Sequence, residues 1–210
     1  MLAPQPNRTS LTTAAGKMID LLNPTAADID FDVIAEHLAK ANRYCGATPN
    51  LVYSVAEHSC RCAEAALKAT GDRTLAAYML THDMHEAYLG DDTTPKKRAL
   101  EAIMLEFGIL APKVQEAFGN LTYRLDVAIH EAAGLKWPMG TRLTMAVHHW
   151  DRVLLATEWR DLMCCDPPYD FGVDPLTLRI YPAGSWITPV RNMEKACKAL
   201  LPALQVRAAG

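Results

Sequence analysis

Apolar positions recur at helical spacing along most of the chain. In FDVIAEHLAKANRY, Val33, Ile34, His37, Leu38 and Ala41 share one side of a 3.6-residue period, and Gly46 and Pro49 in CGATPN break the run. SVAEHSCRCAEAALKAT opens on Ser54 three residues before Glu57, a capping-box spacing, and continues as an alanine-rich helix to Gly71. A third helix is predicted from Thr74 to Gly90, and Ala76, Ala77, Met79 and Leu80 make its middle too apolar for a surface helix, so it belongs near the centre. KRALEAIMLEFGI and PKVQEAFGNLTYRLDVAIHEAAGL follow, parted near Gly108 and Pro112. TRLTMAVHHWDRVLLATEWRDLMC is a long amphipathic helix with Val147, Trp150, Leu154 and Leu155 inward. After the DPPYDFGVDP loop, RNMEKACKALLPAL forms the last helix. Only LRIY and SWIT read as strand pieces, both short. The pattern predicts an all-α helical bundle, a single domain over residues 1–210, with core blocks spanning about 30–165 and the N-terminal segment and C-terminal helix as appendages.

Composition narrows the function classes. The chain is 50% hydrophobic and 21% charged, ordinary for a globular protein, and 210 residues bury one sizeable core. A net charge of −3 with no basic stripe argues against polymeric nucleic acid as a partner, though a small anionic substrate needs only a few local cations. No apolar run approaches a membrane span, and MLAPQPNRTS lacks the basic and apolar regions of a signal peptide, so a cytoplasmic protein without a membrane partner is expected. The six cysteines form C-x-C and C-C spacings without a C-x-x-C pair, and reduced thiols are expected. Cys60 and Cys62, two apart on a helix, point to different faces and cannot jointly grip a metal; both read as small, semi-buried residues.

The densest chemistry lies in THDMHEAYLGDD, Thr81 to Asp92, with two histidines, a glutamate and three aspartates. Glu86 lies four residues after His82 and three after Asp83, so on one helix all three share a side. Burying such groups costs several kcal/mol unless a cation compensates, whereas on a solvated face they need no partner. His58 early in the second helix and Asp151 in the long one, each flanked by apolar residues, favour the buried alternative. Two His and two Asp from three helices suit a divalent ion of middling softness with positions left for water and substrate. The order HDMHE does not match the H-E-x-x-H of a zinc protease. His37, His130, His148 and His149 read as ordinary core or surface histidines, and Trp137, Trp150, Trp159 and Trp186 as packing residues.

AEHS at Ala56–Ser59, HDMHEAYLGD at His82–Asp91 and DRVLLATEWRDLM at Asp151–Met163 together resemble the three blocks of HD-domain phosphohydrolases, in the branch of small bacterial 5'-deoxynucleotidases and phage dATP triphosphohydrolases. The resemblance runs from about Gly16 to Met163. It implies that His58, His82, Asp83 and Asp151 ligate a divalent metal (Mn, Co, Fe, Zn or Mg), that Glu86 is the acid/base, and that Asp91 is a second active-site carboxylate. It also implies that Arg43 contacts phosphate, with Tyr44 where the family commonly has Trp. Lys96 and Lys97 could add charge for a triphosphate or be solvated loop lysines.

The function expected from the resemblance is metal-assisted hydrolysis of deoxynucleotide phosphoesters, as a 5'-monophosphatase or a triphosphohydrolase, in a homo-oligomer. Alternatives are a non-catalytic sensor that holds a nucleotide at the same site and a hydrolase of a signalling nucleotide.

Overall fold

A computed structural model describes residues 8–49 and 51–209; Met1–Asn7, part of the stretch read for a signal peptide, lies outside them. The described chain is almost wholly helical, in agreement with the all-α expectation: α1 (Phe31–Lys40), α2 (Val55–Thr70), α3 (Arg73–Thr81), α4 (Glu86–Leu89), α5 (Thr94–Glu106), α6 (Ala111–Ala133), α7 (Thr141–Leu162), α8 (Ile187–Leu200) and α9 (Pro202–Ala209). Local chemistry sets the ends. The Asp30 carboxylate accepts from the Asp32 and Val33 amides at the start of α1, and Ser54 and Glu57 form a reciprocal capping box on α2. Asp72 caps α3, while Gly71 and Gly134 adopt left-handed conformations that stop α2 and α6.

The core forms around the α2–α3 pair, with α1, α7 and α8 packed against it. Ile34, Leu38, Ala56, Cys62, Met79, Leu80, Met84, Leu125, Ile129 and Leu154 are fully buried there. The C-terminal helix, expected as an appendage, also enters this core: Met193, Cys197 and Leu201 are sealed from solvent. By contrast α5 buries none of its residues and packs chiefly on α6. Among the described residues no helix is long and apolar enough to cross a membrane.

Three features depart from the sequence pattern. A two-stranded antiparallel hairpin, β1 (Ser10–Thr12) and β2 (Met18–Asp20), pairs Leu11 with Ile19, and strands of three residues are too short to leave a periodic signal. LRIY carries no strand, and SWIT instead runs into the first turn of α8.

The predicted helix from Thr74 to Gly90 is two helices: α3 stops at Thr81, and the chain turns through His82–His85 before α4. Side chains bond the last carbonyls of α3 and compete with its continuation. The Thr81 hydroxyl lies 3.1 Å from Ala77 O and 3.3 Å from Tyr78 O, and His82 Nδ1 donates to Met79 O at 2.7 Å. Beyond Thr81 the backbone bonds tighten to three-residue spacing, Met84 N to Thr81 O and Glu86 N to Asp83 O.

A candidate metal centre between three helices

His58 stands in the first turn of α2, His82 and Asp83 in the turn after α3, and Asp151 midway along α7. The fold brings their ligand atoms to one point. His58 Nε2 lies 3.3 Å from His82 Nε2, 3.1 Å from Asp151 Oδ1 and 3.6 Å from Asp83 Oδ2. His82 Nε2 lies 3.2 Å from Asp83 Oδ2 and 3.8 Å from Asp151 Oδ1. Two N or O ligands held about 2.0–2.2 Å from one ion, at angles of about 90–110°, stand about 3–3.6 Å apart; four of the five separations lie in that range, and His82 Nε2 to Asp151 Oδ1, at 3.8 Å, is slightly wider.

Hydrogen bonding fixes which nitrogens face that point. Glu158 Oε1 is 2.6 Å from His58 Nδ1, and the Met79 carbonyl is 2.7 Å from His82 Nδ1. Both partners are acceptors, so each Nδ1 carries a proton and each Nε2 is left for the cluster. The charges agree with the geometry. Burial, and for His58 also Arg43, opposes a positive charge on the rings. The surrounding groups, Cys62, then Glu158 and Asp151 for His58, and Asp83 and Asp151 for His82, outweigh this and hold both well above the usual histidine range. Burial likewise opposes charge on Asp83 and Asp151, but the two histidines hold both well below the carboxylate range. The centre stabilises positive charge, which either protons or a cation can supply.

His58, Cys62, His82 and Asp151 form a group that could hold a metal ion, with ligand atoms all within 4.8 Å of one another. Cys62 was read from the sequence as a small apolar residue, and it is fully buried; the signal for its place is its spacing, four residues after His58 on one helical face. Its Sγ is nearly equidistant from the two ring nitrogens of His58, 3.5 Å from Nε2 and 3.8 Å from Nδ1. The sulfur thus faces the flat side of the imidazole, whereas Asp83 Oδ2 lies close to both Nε2 atoms. Cys60 points elsewhere, towards Met193.

Around the cluster stand the other predicted residues. Arg43 lies in a short turn, Arg43–Gly46, with Nη1 3.5 Å from Asp83 Oδ2 and Nε 3.2 Å from Glu158 Oε2. The Tyr44 hydroxyl donates to Glu158 Oε2 at 2.6 Å, and its ring packs edge-on against Trp159. Glu86 opens α4; burial, then the charges of Asp83 and Asp91, push its carboxyl up to about 9, against the pull of Arg43 and His82. Its Oε2 is buried without a protein partner. Asp91 accepts from the Tyr44 amide, and its carboxyl is raised chiefly by burial.

The lysines stand apart from the cluster. Lys96 pairs with Asp92 at the surface, and Lys97 helps line a cavity of about 430 Å³ that also borders Glu86, Phe118, Asp126 and Trp137. Among the histidines read as ordinary, His148 and His149 are exposed and His37 bridges Ala14 N and Ala87 O. His130 is buried between Tyr78 and Trp137. Glu158, which the sequence reading passed over, is fully buried at the hub of the Arg43, Tyr44 and His58 bonds. Its spacing of two helical turns from Asp151 was the available sign.

No family model matches the chain. An uncharacterized protein of Rhodobacter capsulatus is 34% identical over 143 residues, which cover 66% of this chain and 65% of the relative. What the structure establishes is a helical protein in which buried His58 and Cys62 and half-buried His82 and Asp151 could hold a metal ion between three helices.

Proposed function

We propose that the protein is a metal-dependent phosphohydrolase of the HD type, acting on deoxynucleotides as a 5'-deoxynucleotidase or a triphosphohydrolase. The observation that supports it most is the convergence of His58, His82, Asp83 and Asp151 within 3.1–3.8 Å, beside a buried carboxyl, Glu86, and a guanidinium, Arg43. A divalent ion held by those four residues supplies a Lewis acid for a phosphoryl oxygen and lowers the pKa of water.

The remaining roles fall to the chain itself. Arg43, always charged and only 12% exposed at its side chain, holds the anionic phosphate and offsets charge that builds on it. Glu86, with its carboxyl raised to about 9, keeps its proton at neutral pH and can pass it to the departing ester oxygen. Asp91, bonded to the Tyr44 amide and raised by burial, faces Arg43 and keeps the turn that carries it in place. Three carboxylates, Asp92, Glu101 and Asp126, against one lysine, Lys97, line the cavity beside Glu86, so the phosphate belongs on the Arg43 side of the centre. The proposal extends to a homo-oligomer. Ile103, Leu105, Phe107 and Leu110, at or near the end of α5, are each at least half exposed and offer an apolar surface for a second copy, which light scattering at micromolar concentration tests.

Replacing Glu86 by Gln tests the catalytic reading, because shape is kept while the proton is lost. Turnover of deoxynucleoside phosphates should fall about 10²–10⁴-fold, with bound metal unchanged. Unchanged turnover refutes the role given to Glu86. Chromatographic product analysis separates the two activities, since one releases orthophosphate from monophosphates and the other releases nucleoside from triphosphates.

A further inference from the structure

Glu158 is a carboxylate with no exposure, deep in α7 and seven residues beyond Asp151. An anion in such a place costs several kcal/mol unless its lone pairs are satisfied. Four donors satisfy it. His58 Nδ1 at 2.6 Å and the Tyr53 hydroxyl at 3.0 Å meet Oε1, and the Tyr44 hydroxyl at 2.6 Å and Arg43 Nε at 3.2 Å meet Oε2. These donors hold the carboxyl near the bottom of its range: burial would raise it, but the Arg43 and His58 charges bring it to about 2.

Two of the four donors come from a strained segment. Tyr44 and Cys45 have φ of 57° and 52°, left-handed values that cost a side-chain-bearing residue roughly 1–2 kcal/mol each. Such backbone persists only where surrounding contacts over-determine it. Here Arg43 and Tyr44 both close onto the same Glu158 oxygen, while the other oxygen orients the imidazole of His58.

We infer that Glu158 is a positioning residue that anchors two devices at once, the ring of the metal ligand His58 and the turn that presents Arg43 to an anion. This rests on the metal reading above. A carboxylate suits the role better than an amide, because it accepts from all four donors and makes the imidazole a stronger ligand through its Nδ1–H. α7 thus delivers a metal ligand at Asp151 and, two turns later on the same face, the group that aims another.

The test uses the full chain with zinc and inorganic phosphate as probes. Zinc affinity, measured against a competing chelator, should fall about 10–100-fold in Glu158→Gln, and phosphate binding at saturating zinc should weaken at least several-fold. Tyr53→Phe removes one donor but keeps the Tyr53 carbonyl that accepts from the Arg43 amide at 2.9 Å, so it should leave both within about twofold of wild type. A folded Glu158→Gln protein with wild-type zinc affinity overturns the inference and leaves the metal reading standing. Wild-type protein that binds no zinc, cobalt or manganese overturns both.

Should the Gln variant not fold, nitrogen-15 spectra of wild-type imidazoles decide the matter. His58 protonated at Nδ1 and zinc-bound at Nε2 supports the inference, and zinc at Nδ1 overturns it.

Discussion

Metal should be worth a measurable share of the stability of this fold, because its ligands come from α2, from the turn after α3 and from α7, so the ion would cross-link three elements that otherwise meet only through packing. An ion that binds only the folded state adds RT ln(1 + [L]/Kd), about 4.1 kcal/mol at a thousand times Kd. For a chain of 210 residues one kcal/mol moves Tm by roughly 2–4 °C, so chelator-treated protein given that excess should gain about 8–16 °C. Asp151→Asn keeps the size of the side chain and removes the charge that stands 3.1 Å from His58 Nε2. If that lowers affinity about 100-fold, or about 2.7 kcal/mol, the same ion concentration is ten times Kd and the gain shrinks to about 1.4 kcal/mol, or about 3–6 °C. The assay is thermal unfolding in metal-free buffer, titrated separately with manganese, cobalt, zinc and magnesium. A gain below about 2 °C with every ion, or equal gains in wild type and Asp151→Asn, would refute a shared cation at this centre.

Two further outcomes follow from groups outside the cluster. His130 is buried and stacked between Tyr78 and Trp137, and burial lowers its pKa against the opposing influence of Asp126. The unfolded ring therefore takes up a proton first, so stability is lost as pH falls from about 6.5 through the lower folded value. In metal-free buffer the drop in Tm between pH 7.5 and 5.5 should be smaller in His130→Gln than in wild type, and equal drops would count against the buried neutral ring. Gly134 has φ of 74°, and a Cβ there would stand 3.0 Å from the Ala203 amide nitrogen. Gly134→Ala should cost about 1–2 kcal/mol from the left-handed backbone alone, with a lower Tm by calorimetry; an unchanged Tm would refute that cost.

The helices could be read from the sequence because their signals are local. Apolar spacing, the Ser54–Glu57 box and the stop at Gly71 act within a few residues, and the structure realises each of them. Crowding at Thr81–Asp92, with His58 and Asp151 flanked by apolar residues, pointed to the cluster for the same reason. What the sequence left undetermined depends on partners far along the chain. The break after Thr81 turns on hydroxyl and imidazole bonds to Ala77, Tyr78 and Met79 that compete with an otherwise good helical pattern. Glu158 looks like any glutamate on a long helix until folding brings to it His58, 100 residues away, and Arg43, 115 away. Cys62 likewise gains meaning only when α3 and α7 close over α2. Periodicity encodes which face of a helix is buried, but only packing decides which buried polar groups meet, because their pairing depends on distances between elements that no local spacing contains.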